Sequence, residues 1–201
     1  MIKSKIKNYF LGGLIFLLSS CSFLSPVKLE QVNTYLINTV PHVQPKTTRG
    51  ITLLVQQPDT RPVYNTKQIA YSLKPHQIAY YAQNQWAETP AQMLQPLLVQ
   101  TLENTRHFRT IITPPYIGRY NYSLNTQIIE IQQDYTTTVP VMRLVVNVQI
   151  IRATTSQVVA SKQFAIHIPI QQRSPYAGVM AANRATAILL NRIAEFCVEK
   201  I

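Results

Sequence analysis

The chain has 201 residues and a formal charge of +11, yet only 13% of its residues are charged, against a usual share of about 25%. Acids are scarce, and Gln, Asn and Thr fill most polar positions. The cations are scattered singly, without the clustered run that tracks a phosphate backbone, which makes nucleic acid a poor candidate, and no nucleic-acid partner is expected.

Lys3, Lys5 and Lys7 precede an apolar stretch from Phe10 to Leu18, and Leu18-Ser19-Ser20-Cys21 follows. A charged start, a short apolar run and small residues before a cut form a secretory signal. The run falls short of the ~20 residues that cross a bilayer. Leucine three positions ahead of a cysteine that follows a small residue resembles the bacterial lipobox, in which the cysteine is acylated and becomes the first mature residue. Residues 1–20 then read as signal peptide, with Cys21 lipidated. Removing the three signal lysines from +11 leaves a mature charge of +8. That excess suits anionic lipid head groups or an acidic protein partner.

Residues 21–32 read as a lipidated tether and 33–201 as one domain, a length suited to a single core. Asn33–Asn38 and Ile51–Gln56 have strand composition, separated by Pro41, Pro45 and Gly50. Gln68–Leu73 and His76–Tyr81 are further strand candidates around a Lys74-Pro75 turn. Thr89, Pro90 and Gln92 form the cap, first position and capping box of a helix. Its apolar face carries Leu94, Leu97, Leu98, Thr101 and Leu102. Pro96 removes a backbone donor there, so the spacing predicts a bend or a start nearer Gln95.

A strand at Phe108–Thr113 and a Pro114-Pro115 turn lead to three long β-rich segments: Tyr120–Tyr135, Val139–Arg152 and Gln157–Ile170. Alternation is clearest in Met142, Leu144, Val146, Val148 and Ile150, opposed by Arg143, Asn147 and Gln149. Ser174-Pro175 opens a last helix to about Glu199, with Val179, Thr186, Leu190, Ile193 and Cys197 on one side. The expected fold is α/β of the α+β type: a single domain with a mixed, largely antiparallel sheet packed by two main helices. If Cys21 is acylated, Cys197 has no partner in the chain, and its helical face makes it a buried, inert thiol.

No catalytic or cofactor motif is present. Beyond the signal the only glycines are Gly50, Gly118 and Gly178, and none cradles a phosphate. His42, His76, His107 and His167 lie on different elements without metal-ligand spacing. Asp59 and Asp134 lack an obvious partner, although a carboxylate pair assembled in space stays open. The expectation is a non-enzyme without metal or cofactor, apart from the covalent lipid on Cys21.

The segment from Arg61 to Glu103 carries a resemblance. Ile69-Ala70-Tyr71, Ile78-Ala79-Tyr80-Tyr81, Trp86-Ala87, Pro90 and the helix leucines through Leu102 resemble the ABC-type transport auxiliary lipoprotein family, of the paraquat-inducible protein C type. Phe108 and Ile111, Tyr35-Leu36 and the Ile51–Gln56 strand continue the match. Thr105-Arg106-His107 departs from it where a small residue or glycine would end the helix. The resemblance implies a non-catalytic periplasmic subunit of a mammalian-cell-entry (MCE) type lipid transport system, with an MCE-domain protein and its ABC permease and ATPase as partners. Ser22, which is not the aspartate that retains lipoproteins at the inner membrane, implies anchoring in the outer membrane. Tyr71, Tyr80, Tyr81 and Trp86 are candidate partner-binding residues. They could equally pack the seam between sheet and first helix, and Trp86, just before the helix cap, favours that role. Exposed sheet edges would permit a homo-oligomeric ring. Two other readings stay open: an outer-membrane assembly factor or structural lipoprotein unrelated to lipid transport, and a periplasmic hydrolase with a dispersed site.

Overall fold

A computed structural model describes residues 31–201. The expected signal peptide, Cys21 and most of the expected tether therefore lie outside the described residues. The long strand β7 (Tyr122–Asp134) organises the sheet because both its edges are occupied. On one edge β8 (Val141–Arg152) runs antiparallel, from Tyr122↔Arg152 to Asp134↔Val141, and β9 (Gln157–Pro169) pairs antiparallel with β8. On the other edge three shorter strands lie end to end, each parallel to β7. These are β2 (Arg49–Val55) beside Tyr122–Leu124, β3 (Asp59–Thr60) beside Gln127–Ile128, and β4 (Gln68–Ser72) beside Gln133–Asp134.

Two branches extend this second edge. β6 (Phe108–Ile112) adds to β2 in parallel. β5 (Ala79–Trp86) adds antiparallel to β4, and the short β1 (Asn33–Tyr35) lies parallel to β5. The described residues thus form a nine-stranded mixed sheet whose longest pairings are the antiparallel ones.

Two helices supply the rest of the core. Helix α1 (Pro90–Asn104) buries Met93, Leu94, Leu97, Leu98, Thr101 and Leu102. Helix α2 (Pro175–Lys200) buries Val179, Ala182, Thr186, Leu189, Leu190, Ile193 and Cys197. Helix α2 packs on β8, and the buried residues of both helices join the β8 stripe Met142, Leu144, Val146, Val148 and Ile150 in one hydrophobic cluster. Each fully buried Leu or Ile in such a core contributes about 1.5–3 kcal/mol.

Several boundaries differ from expectation for identifiable reasons. β1 stops at Tyr35, because Leu36, Asn38 and Thr39 turn their backbone and hydroxyl groups to Asn183 of α2. β5 spans Ala79–Trp86 instead of His76–Tyr81. His76 adopts a left-handed φ of 61°, so the turn lasts longer and the strand starts later. Helix α1 continues through Pro96, which sits on the exposed face where water can satisfy the freed Gln92 carbonyl. β3 and a 3-10 turn at Pro62–Tyr64 carry too little periodicity to be read beforehand.

The odd tripeptide Thr105-Arg106-His107 proves to be the stop of α1. Arg106 takes the left-handed conformation (φ 55°) that glycine normally supplies. Thr105 Oγ1 donates to the Leu102 carbonyl at 2.6 Å. The Lys46 amide donates to the Thr105 carbonyl at 2.7 Å and the Thr48 hydroxyl to that of Arg106 at 2.7 Å. His107 is buried with Nδ1 3.1 Å from the Thr47 carbonyl, so the histidine ties this strap to the helix end.

Candidate partner-binding surface

Neighbouring residues in a strand point to opposite faces of the sheet, and this decides the fate of the aromatic block. Tyr80 and Tyr81 are consecutive in β5. Tyr80 donates to the Val63 carbonyl at 2.8 Å, over the 3-10 turn. Tyr81 points the other way and donates to Gln133 Oε1 at 3.0 Å. Tyr71, on β4, stacks on Tyr81 with ring centroids 4.4 Å apart. All three tyrosines are half-buried. Trp86 is only 2% exposed, is in register with Tyr35, and donates its backbone N–H to Lys67. It offers a partner no surface.

Tyr81 belongs to a polar cluster the sequence did not flag. Tyr135 Oη donates to Gln133 Oε1 at 2.8 Å and stands 3.2 Å from Tyr81 Oη. Gln133 Nε2 donates to the Pro175 carbonyl at 3.2 Å, in the first turn of α2. Burial pushes the Tyr81 and Tyr135 phenols above their ordinary pKa, so both stay neutral donors. The Arg173 guanidinium lies 5.7 Å from the Tyr135 ring centroid. The cluster therefore seals the joint between β5, the end of β7 and α2. Gly178 was the one available signal, since a glycine inside a helix often marks a close approach.

The opposite face of β7 carries the acids. Glu130 accepts from Arg143 Nε at 2.7 Å, and Arg143 Nη1 lies 3.7 Å from Asp134. Asp134, without a partner on sequence grounds, is thus an ion-pair member that also accepts from Thr136. Asp59 accepts from Gln127 Nε2 at 3.0 Å across the β3–β7 pair. Tyr64 is raised to about 12 by burial first and by the Glu130 charge second.

Among the described residues no three His, Cys, Asp or Glu side chains gather in a metal-binding group. His42, Thr105 and Glu195 line one cavity of about 270 Å³ beneath the strap, with Lys46 at its wall. Glu195 there accepts from Asn191 at 2.9 Å. Among the described residues no hydrogen bond joins His42, Thr105 and Glu195 to one another, and the Thr105 hydroxyl is turned to the Leu102 carbonyl. Cys197 is fully buried and its thiol is pushed up to about 12 by burial. No described helix is long and apolar enough to cross a membrane.

Among the described residues the site is thus a sheet end bearing half-buried tyrosines, on a mixed sheet packed by two helices. The chain belongs to the ABC-type transport auxiliary lipoprotein component family, whose model matches residues 35–194. The fold is similar to that of protein XCC0632 from Xanthomonas campestris: 19% identity, TM-score 0.76, covering 84% of this chain and 96% of that one. A second solved structure, described as an uncharacterized protein, is 15% identical with TM-score 0.66, covering 84% and 99%. No curated protein matches the sequence.

Proposed function

We propose that this protein is a non-catalytic lipoprotein subunit of an MCE-type ABC lipid transport system, anchored by acylated Cys21 in the outer membrane and facing the periplasm. The observation that carries the reading is the family match across residues 35–194, preceded by the lipobox ending at Cys21. Mechanism here means placement. Acyl chains hold Cys21 in the bilayer, with two or more needed for stable anchoring. The Ser22–Val32 tether sets how far the domain reaches. The partner surface proposed for an MCE-domain protein is the sheet end bearing Tyr71 and Tyr81. There Leu73 and Val139, on the adjacent β4–β5 and β7–β8 turns, are exposed apolar residues. Exposed apolar side chains beside half-buried tyrosines suit a contact patch. The free edges of β9 and β6 would allow several copies to join in a ring.

The test is in-cell crosslinking followed by identification of the captured protein. An MCE-domain protein recovered through a probe at Leu73 supports the proposal. Recovery of the chain alone, with membrane fractionation unchanged by Cys21→Ser, would refute it.

A further inference from the structure

Helix α2 turns an unusual ridge to solvent. Tyr176, Met180, Arg184, Ile188 and Arg192 recur every four residues, so they form one i±4 row inclined to the helix axis. All five are exposed: Tyr176 at 59%, Met180 at 46% and Ile188 at 39%, with both arginines on the surface. The adjoining half-buried row holds only Asn183, Ala187 and Asn191, so the ridge stands above its surroundings. No acid occurs on α2 before Glu195, and no ion pair engages Arg184 or Arg192 among the described residues.

Arg184 donates only a long bond of 3.5 Å to the Pro169 carbonyl. Exposed aromatic, thioether and aliphatic side chains interleaved with arginines that have no acidic partner among the described residues are the chemistry of a helix that lies in a lipid interface. The arginines meet phosphate while the apolar groups enter the acyl boundary. A core-packing role is closed to these residues, because the opposite face of α2 already fills the core.

The start of the ridge also lies where the tether joins the domain. The Tyr35 ring of β1 is 6.1 Å from the Tyr176 ring, and Asn183 binds the Leu36 carbonyl at 3.0 Å. Residues 22–32 number eleven, and at about 3.3–3.6 Å each they reach at most roughly 40 Å. A chain anchored at Cys21 thus keeps β1, and with it the N-terminal end of α2, within about that reach of the bilayer.

We infer that the Tyr176–Arg192 ridge of α2 is a membrane-contact face that docks on an anionic phospholipid surface. It rests on the anchor reading for its geometry, but its own affinity for lipid is independent of Cys21. Every core residue among the described residues lies within Val32–Ile201, so the chain from Ser22 onward keeps all of them and carries no acyl chain. That form should co-sediment with vesicles of phosphatidylcholine plus phosphatidylglycerol and largely ignore pure phosphatidylcholine. Arg184→Glu with Arg192→Glu should lower partitioning roughly tenfold or more, and Met180→Ser with Ile188→Ser should lower it several-fold. Absence of binding to the anionic vesicles, equal binding to pure phosphatidylcholine, or double variants that bind as well as the parent would overturn the inference.

Should a variant unfold, a polarity-sensitive dye on Met180→Cys answers the same question, since Cys197 is buried. A blue shift on anionic vesicles supports the face, and an unmoved spectrum overturns it. Membrane fractionation of Cys21→Ser in cells tests the anchor separately.

Discussion

The side-chain amide of Gln133 occupies the space where a Cβ on residue 178 would stand. Gln133 is the acceptor for both Tyr81 and Tyr135, so the bare backbone of Gly178 is what lets α2 close over the tyrosine cluster. On an open helix surface Gly→Ala would stabilise by about 1 kcal/mol. Here overpacking, at about 1–3 kcal/mol, and disruption of a buried polar group oppose it. Gly178→Ala should therefore lower stability by roughly 1–3 kcal/mol in chemical denaturation. A variant as stable as the parent would refute the close contact. Because the two side chains share one space, Gln133→Ala combined with Gly178→Ala should cost less than the sum of the single changes.

The tyrosines separate by role. Tyr81→Phe removes a hydroxyl that faces Gln133 and Tyr135, and should cost about 1–2 kcal/mol. Tyr71→Phe keeps the stacked ring and should be nearly neutral, whereas Tyr71→Ala should lose about 0.5–1.5 kcal/mol beyond its area. Equal costs for Tyr81→Phe and Tyr71→Phe would remove the distinction.

Alkali should loosen the fold through groups held neutral by burial. The Cys197 thiol is raised to about 12 in the folded chain, against about 8.5 when unfolded. Tyr64 is also raised to about 12, and Tyr81 and Tyr135 are shifted upward too. A raised acid contributes nothing to pH dependence below its unfolded pKa. Above it the unfolded chain holds fewer protons, so stability falls with rising pH. Urea midpoints should decline from about pH 8.5 towards 12, and Cys197→Ala should flatten the first part of that decline. In the same range the folded thiol should resist alkylation until the chain opens. Fast alkylation of the native protein at neutral pH would contradict the burial.

Arg106 holds a φ of 55° without being glycine. A side chain in this region costs about 1 kcal/mol or more, and no side-chain hydrogen bond of Arg106 offsets it among the described residues. Arg106→Gly should raise the melting temperature, with a gain of about 1 kcal/mol offset in part by greater freedom in the unfolded chain. A loss of stability would mean that the arginine makes a contact worth more than its backbone strain.

Much of the fold was legible because its signals are local. Alternation along Met142–Ile150, the Thr89-Pro90-Gln92 start and the apolar faces of both helices follow from periods of 2 and 3.6 in consecutive residues. Features made by residues distant in the chain carry no such local signal. β3 has two residues and exists because β7 offers it an edge. Tyr80 and Tyr81 look like one aromatic patch until the pleat of β5 sends them to opposite faces. Asp134 acquires Arg143 only when β7 and β8 align.

The expectation that Cys21 is lipidated comes from sequence alone, since a lipobox is a short linear signal that needs no fold around it. The class of the domain was similarly readable, because hydrophobic periodicity is a property of neighbours along the chain. Tertiary structure decided which tyrosines seal a joint and which face a turn, why Gly178 must lack a side chain, and that α2 presents a ridge of arginines and apolar groups. Each of these depends on which residues meet across stretches of 17 to 52 positions of chain or on which helix face the core has already taken. Burial of one face of α2 selects the other as surface, and only the packed sheet makes that choice.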